Sequence, residues 1–71
     1  MENDDLHPVL SEIEACMAAT GIKKTPFGLR VGGDRSLVDD LRKGRDPGRK
    51  KVKLIRQVIA EVTDAHQRGL Q

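Results

Sequence analysis

With 71 residues, 37% of them apolar and a single aromatic, Phe27, the chain has material for one small aliphatic core and argues against a multidomain enzyme. Its net charge of +2 hides a strong polarity: residues 1 to 21 hold Glu2, Asp4, Asp5, Glu12 and Glu14 with no lysine or arginine, while all 13 basic residues lie between Lys23 and Arg68. Such a basic stretch favours a phosphate-bearing partner, and the lack of aromatics disfavours single-stranded nucleic acid, whose bases need stacking platforms.

Residues 1 to 5 are polar and acidic and are expected to fray. A first helix is expected to begin between Leu6 and Pro8 and to run to about Thr20, because Val9, Leu10, Ile13, Cys16 and Met17 recur at helical spacing. Gly21 is the expected stop, with Ile22 folding back onto the last turn. Cys16 is the only cysteine, which leaves no intramolecular disulfide, suits a reducing cytoplasm and reads as a small core residue.

A second helix is expected with Thr25 as its cap and Pro26 at its first position, where the amide hydrogen that proline lacks is not needed. Gly32 and Gly33 break it. Asp34 is suited to cap a third helix, which Gly44 ends in a left-handed conformation. The connector Asp46-Pro47-Gly48 leads into a long fourth helix from about Arg49 to Gln67, with Val52, Ile55, Ile59 and Val62 as its inward stripe. Leu54 and Val58 widen that stripe into either a broad buried face or a partner surface. The pattern predicts a single all-α domain over 1–71, compact and four-helical, with residues 68–71 frayed and no sheet. No apolar run is long enough to cross a membrane, and neither a signal peptide nor an internal repeat is expected.

Lys24 to Lys43, KTPFGLRVGGDRSLVDDLRK, thus spells two short helices joined by a glycine turn. It resembles the helix-turn-helix of the lambda-repressor and Cro family of DNA-binding regulators. Phe27, Val31, Val38 and Leu41 fall where that family places the apolar residues joining the two helices. Gly28 stands at the family's alanine-or-glycine position, and Gly32 at its turn glycine, which needs a positive φ. Gly33 departs from the pattern, occupying a place usually held by valine, isoleucine or methionine.

The resemblance implies a third helix lying in the major groove of double-stranded DNA. Arg35 and Ser36 are then the leading base readers, since arginine suits guanine O6 and N7 and serine is less selective. Asp39 and Asp40 share that helix. Both are candidate base readers: Asp39 lies four residues from both Arg35 and Lys43 and is expected to pair within the helix in preference to accepting from a cytosine amino group, and for Asp40 both readings stay open. Lys23, Lys24 and Thr25 match the family's backbone-contact region, and Arg30 suits either task. Arg42, Lys43, Arg45, Arg49, Lys50 and Lys51 belong to a run in which Asp46 is the sole acid between Arg42 and Arg56, and they complete the phosphate-binding set.

Residues suited to catalysis are not grouped. His7 and His66 sit at opposite ends as terminal surface residues, without a cysteine cluster or acid pair at ligand spacing, and Ser11 and Ser36 have no activating neighbour. An enzyme, a metal site, a cofactor and a small-molecule ligand are therefore all unexpected. The expected function is sequence-specific DNA binding as a homodimer on a palindromic operator, most simply as a cytoplasmic, nucleoid-associated repressor of bacterial or phage type. After Gln67 only four residues remain, so no counterpart of the family's fifth helix is expected, and either the last helix absorbs its dimer role or the tail merely frays. Glu12 and Glu14, expected to lie away from the basic face, would offer a contact to RNA polymerase or simply a solubilising surface. The alternative function is an antitoxin-like or adaptor protein acting through the apolar band of the last helix.

Overall fold

Helix-stop glycines divide the chain into four helices. The computed structural model describes residues 7–69 and contains α1 (Pro8–Thr20), α2 (Lys24–Arg30), α3 (Leu37–Arg42) and α4 (Gly48–Gly69), with no strand among the described residues. The protein is all-α. Residues 1–6 and 70–71, which include the expected frayed segment 1–5, lie outside the described residues.

α1 starts on a cap that composition did not suggest. His7 Nδ1 accepts the amide hydrogen of Val9 at 3.0 Å, so the imidazole satisfies an amide that the first turn leaves without a helical partner. His7 is half-buried and structural rather than a plain surface residue. His7→Ala is expected to cost about 0.5–1 kcal/mol in urea unfolding, and His7→Asn to recover most of it by restoring a side-chain acceptor. Gly21 ends the helix at φ +79°, its amide donating to Met17 O at 2.8 Å, and Ile22 packs on the core as expected.

α2 begins earlier than its sequence suggests. Lys23 is the capping residue and makes no side-chain cap bond, so Thr25 and Pro26 are the second and third helical residues. The shift is tolerated because amides of the first turn need no helical acceptor, and the first bond, Phe27 N to Lys23 O at 3.1 Å, follows the proline. α3 is shorter than expected. Arg35 and Ser36 lie in the turn, and Asp34 Oδ1 accepts from Ser36 N at 3.2 Å while its carbonyl accepts from Leu37 N at 3.2 Å. Asp34 therefore caps a turn that precedes the helix proper. α4 extends to Gly69, past the predicted end, with Asp46 Oδ1 accepting from Gly48 N at 2.9 Å and Arg68 paired to Asp64 at 3.1 Å.

A single core joins the four helices: Val9, Leu10, Ile13 and Cys16 from α1, Phe27 and Val31 from α2 and its end, Leu37, Val38 and Leu41 from α3, and Ile55, Val58 and Val62 from α4. α1 packs chiefly on α4, α2 on α3, and α1 also meets α3. Cys16 is buried in this core, its Sγ 3.8 Å from Thr63 Oγ1. The inward face of α4 is rotated from the expected stripe. Val58 is fully part of the core, Val52 and Ile59 flank it half-buried, and Leu54 is left 43% exposed. The apolar band is thus mostly core, with Val58 buried and Leu54 outside it. None of the helices among the described residues is long and apolar enough to cross a membrane.

Candidate nucleic-acid interface

Whatever residues 24–43 do depends on how closely α2 and α3 approach. At Gly28, completely enclosed, a Cβ would overlap the carbonyl oxygen of Asp34 and stand 3.4 Å from Leu37 Cβ, so only a glycine fits without shifting the main chain. Gly28 O in turn accepts from Asp34 N at 3.0 Å and from Val31 N at 2.9 Å. The turn over residues 31–36 passes through two successive left-handed residues, Gly32 at φ +64° and Gly33 at φ +75°. That second angle explains the departure at Gly33, where a β-branched side chain would be strained.

Asp34 ties this turn to α4. Its Oδ2 accepts from Lys51 Nζ at 2.8 Å, with the two side chains only 26% and 35% exposed. The Lys51 hydrogen bond, aided by the charge of Lys51 and by the Ser36 amide, holds the Asp34 carboxyl below the usual aspartate range against the opposing effect of burial. Because the folded value is depressed, the pair stabilises the fold above the ordinary aspartate value of 3.8, and that contribution fades as pH falls through the lowered value. Lys51, expected to bind phosphate, is occupied in the structure by Asp34.

Other cations are occupied too. Lys24 Nζ donates to Asp39 Oδ1 at 2.8 Å, linking the start of α2 to α3, and this bond is the main cause of a lowered Asp39 pKa. The expected pairing of Asp39 within its own helix is therefore replaced by one across the two helices, because the helix packing brings Lys24 within hydrogen-bond reach. Asp40 faces Arg45 at 3.8 Å, and its carbonyl accepts from Arg45 N at 3.1 Å. On α1, Glu14 pairs with Arg42 at 3.3 Å and Glu12 with Arg56 at 3.1 Å. The acids of α1 thus lie against basic residues of α3 and α4 rather than away from them, because α1 packs on both helices. Sequence spacing held no signal for these pairs, whose partners are 28 and 44 residues apart.

Lys23, Arg30, Arg35, Lys43, Arg49 and Lys50 are exposed and carry no ion pair among the described residues. Arg35 and Ser36 stand together at the head of α3, and Thr25 is half-buried near the start of α2. Away from this region, an open groove of about 940 Å³ runs along α4, lined by His7, Arg49, Val52, Lys53, Arg56 and Gln57 among others. It is a hollow that the sequence did not announce. Among the described residues no group of histidine, cysteine, aspartate or glutamate is arranged to hold a metal ion, and His66 lies half-buried in the last turns of α4. Comparison with protein-family models, curated proteins and solved structures finds no match to this chain.

Proposed function

We propose that the chain is a sequence-specific binder of double-stranded DNA of the lambda-repressor and Cro type, acting in a bacterial cytoplasm as a homodimer that occludes a promoter operator. One observation carries this reading: Arg35 and Ser36 are exposed side by side at the head of α3, on a turn that the Gly28 contact fixes to α2. A turn fixed in this way restricts the backbone from which Arg35 projects, which favours bidentate recognition of guanine by its guanidinium. Lys23, Arg30, Lys43, Arg49 and Lys50 are exposed elsewhere on the chain and supply cations for phosphate contacts, which set affinity without reading sequence.

Two copies are needed because one α3 of six residues reaches too few base pairs to be selective, whereas two-fold pairing doubles the set. Leu54 and Leu29, the large apolar side chains left exposed among the described residues, are the first positions at which to test a dimer contact. The test of function is selection from a pool of random duplexes at roughly physiological salt. An enriched palindrome with half-site centres about one helical turn apart supports the reading. Recovery of no preferred sequence counts against it and favours the adaptor alternative, for which the basic groove along α4 is the available surface.

A further inference from the structure

Lys24 and Asp39 are each about half exposed, 47% and 46%, yet they are joined at 2.8 Å across the two helices rather than left to solvent. Arg42 and Lys43 also act on the Asp39 carboxylate, so it sits in a locally positive field with Lys24 as its direct partner. Lys24 is a phosphate-binding candidate and Asp39 lies on α3, the helix assigned to the groove. A duplex whose phosphate draws Lys24 away from Asp39 separates this pair. Separation leaves a carboxylate facing DNA, where it is repelled by phosphates and by acceptor atoms on the bases. It is satisfied only where a base presents an exocyclic amino group in the major groove, as cytosine does at N4 and adenine at N6.

We propose that Asp39 is a selectivity residue that withholds Lys24 from sequence-independent phosphate binding and releases it where the facing base offers an amino donor. This rests on the DNA-binding reading above and deepens it. In counterion terms, a lysine held by Asp39 neutralises little phosphate charge, displaces few of the cations condensed on the DNA and adds little to non-specific affinity. Lys51 behaves differently. Its pair with Asp34 is more enclosed and is backed by the Ser36 amide, so it stays closed as part of the turn.

The experiment measures binding of the full chain to two labelled duplexes of equal length, one enriched from the random pool and one of scrambled sequence, between about 50 and 200 mM salt. Asp39→Asn is expected to bind the scrambled duplex about 3- to 10-fold more tightly, to steepen its salt dependence by about one ion and to shrink the preference for the enriched duplex. In a Lys24→Ala background the same substitution is expected to change scrambled binding less than about 2-fold, because the cycle isolates the Lys24 pairing from general loss of a negative charge. Asp39→Ala serves as a second variant, with thermal unfolding recorded for each. Unchanged or weaker scrambled binding by both variants overturns the inference, as does an equal effect with and without Lys24. If the unaltered chain binds no duplex at all, the DNA-binding reading falls and this inference with it. Binding by the unaltered chain with no response at Asp39 removes the inference alone.

Discussion

Gly28→Ala is expected to lower the stability of the chain by about 2–3 kcal/mol, a large share of the roughly 4–10 kcal/mol that a domain of this size commands. Overpacking a filled site costs about 1–3 kcal/mol when side chains can give way. Here the obstacle is the Asp34 carbonyl, which is main chain. Nor is Asp34 able to retreat easily, since its amide donates to Gly28 O, its carbonyl accepts from Leu37 N, and its carboxylate holds Ser36 and Lys51. The gain of about 1 kcal/mol in helix propensity from glycine to alanine offsets only part of the cost. Urea unfolding followed by circular dichroism measures the difference. Gly32→Ala is the comparison: its φ of +64° is unfavourable for alanine, but open space surrounds it, so a smaller loss of about 1–2 kcal/mol is expected. An unchanged midpoint for Gly28→Ala would show that α2 and the turn do not meet as described.

Arg35→Ala is expected to weaken binding to the preferred duplex by about 1–3 kcal/mol, roughly 5- to 150-fold, and to relax preference at one base pair in each half-site. The side chain is exposed and lies in the turn before α3, so its removal leaves the core of Phe27, Val38 and Leu41 untouched. Lys50→Ala provides the contrast. Exposed on α4 and without an ion partner among the described residues, Lys50 is expected to contribute to all duplexes alike, so its loss lowers the salt slope by about one without altering preference. Titration of both variants against preferred and scrambled duplexes separates the two roles. If Arg35→Ala instead weakens both duplexes equally, the arginine contacts phosphate and base reading lies elsewhere on α3.

Local punctuation was readable because it depends on residues close in sequence. The stop at Gly21 and the left-handed Gly44 follow from backbone geometry, the small residue at Gly28 is implied by the resemblance, and the structure contains each of them. Two helix starts were displaced for equally physical reasons. Thr25 is a good capping residue, yet the helix forms two residues sooner because Lys23 O is available to Phe27 N. His7 escaped notice because an imidazole is an uncommon cap, although its Nδ1 meets the same requirement as an aspartate oxygen. Val58 was placed beside the core stripe of α4 because periodicity gives the spacing of a face and not its absolute rotation. In the candidate interface, Arg35 and Ser36 are exposed but stand in the turn before α3 rather than in its first turn, and the partners of Lys24, Arg42 and Lys51 were hidden. Ion pairs between helices depend on the final packing, and residue spacing carries no record of them.

Asp34 meets three helices at one residue: its main chain closes on Gly28, its carboxylate caps the approach to α3, and Lys51 reaches it from α4. The residues that hold the turn are thereby distinct from the neighbouring pair, Arg35 and Ser36, that faces outward. On the proposed DNA-binding reading, replacing the Arg35 and Ser36 side chains changes base contacts while the main-chain and Asp34 contacts of the scaffold stay as they are. Conversely, residues 24–43 are not a portable cassette. Excised from α4, they lose the lysine that anchors their turn, so new specificities are better evolved on the whole chain than transplanted as a peptide.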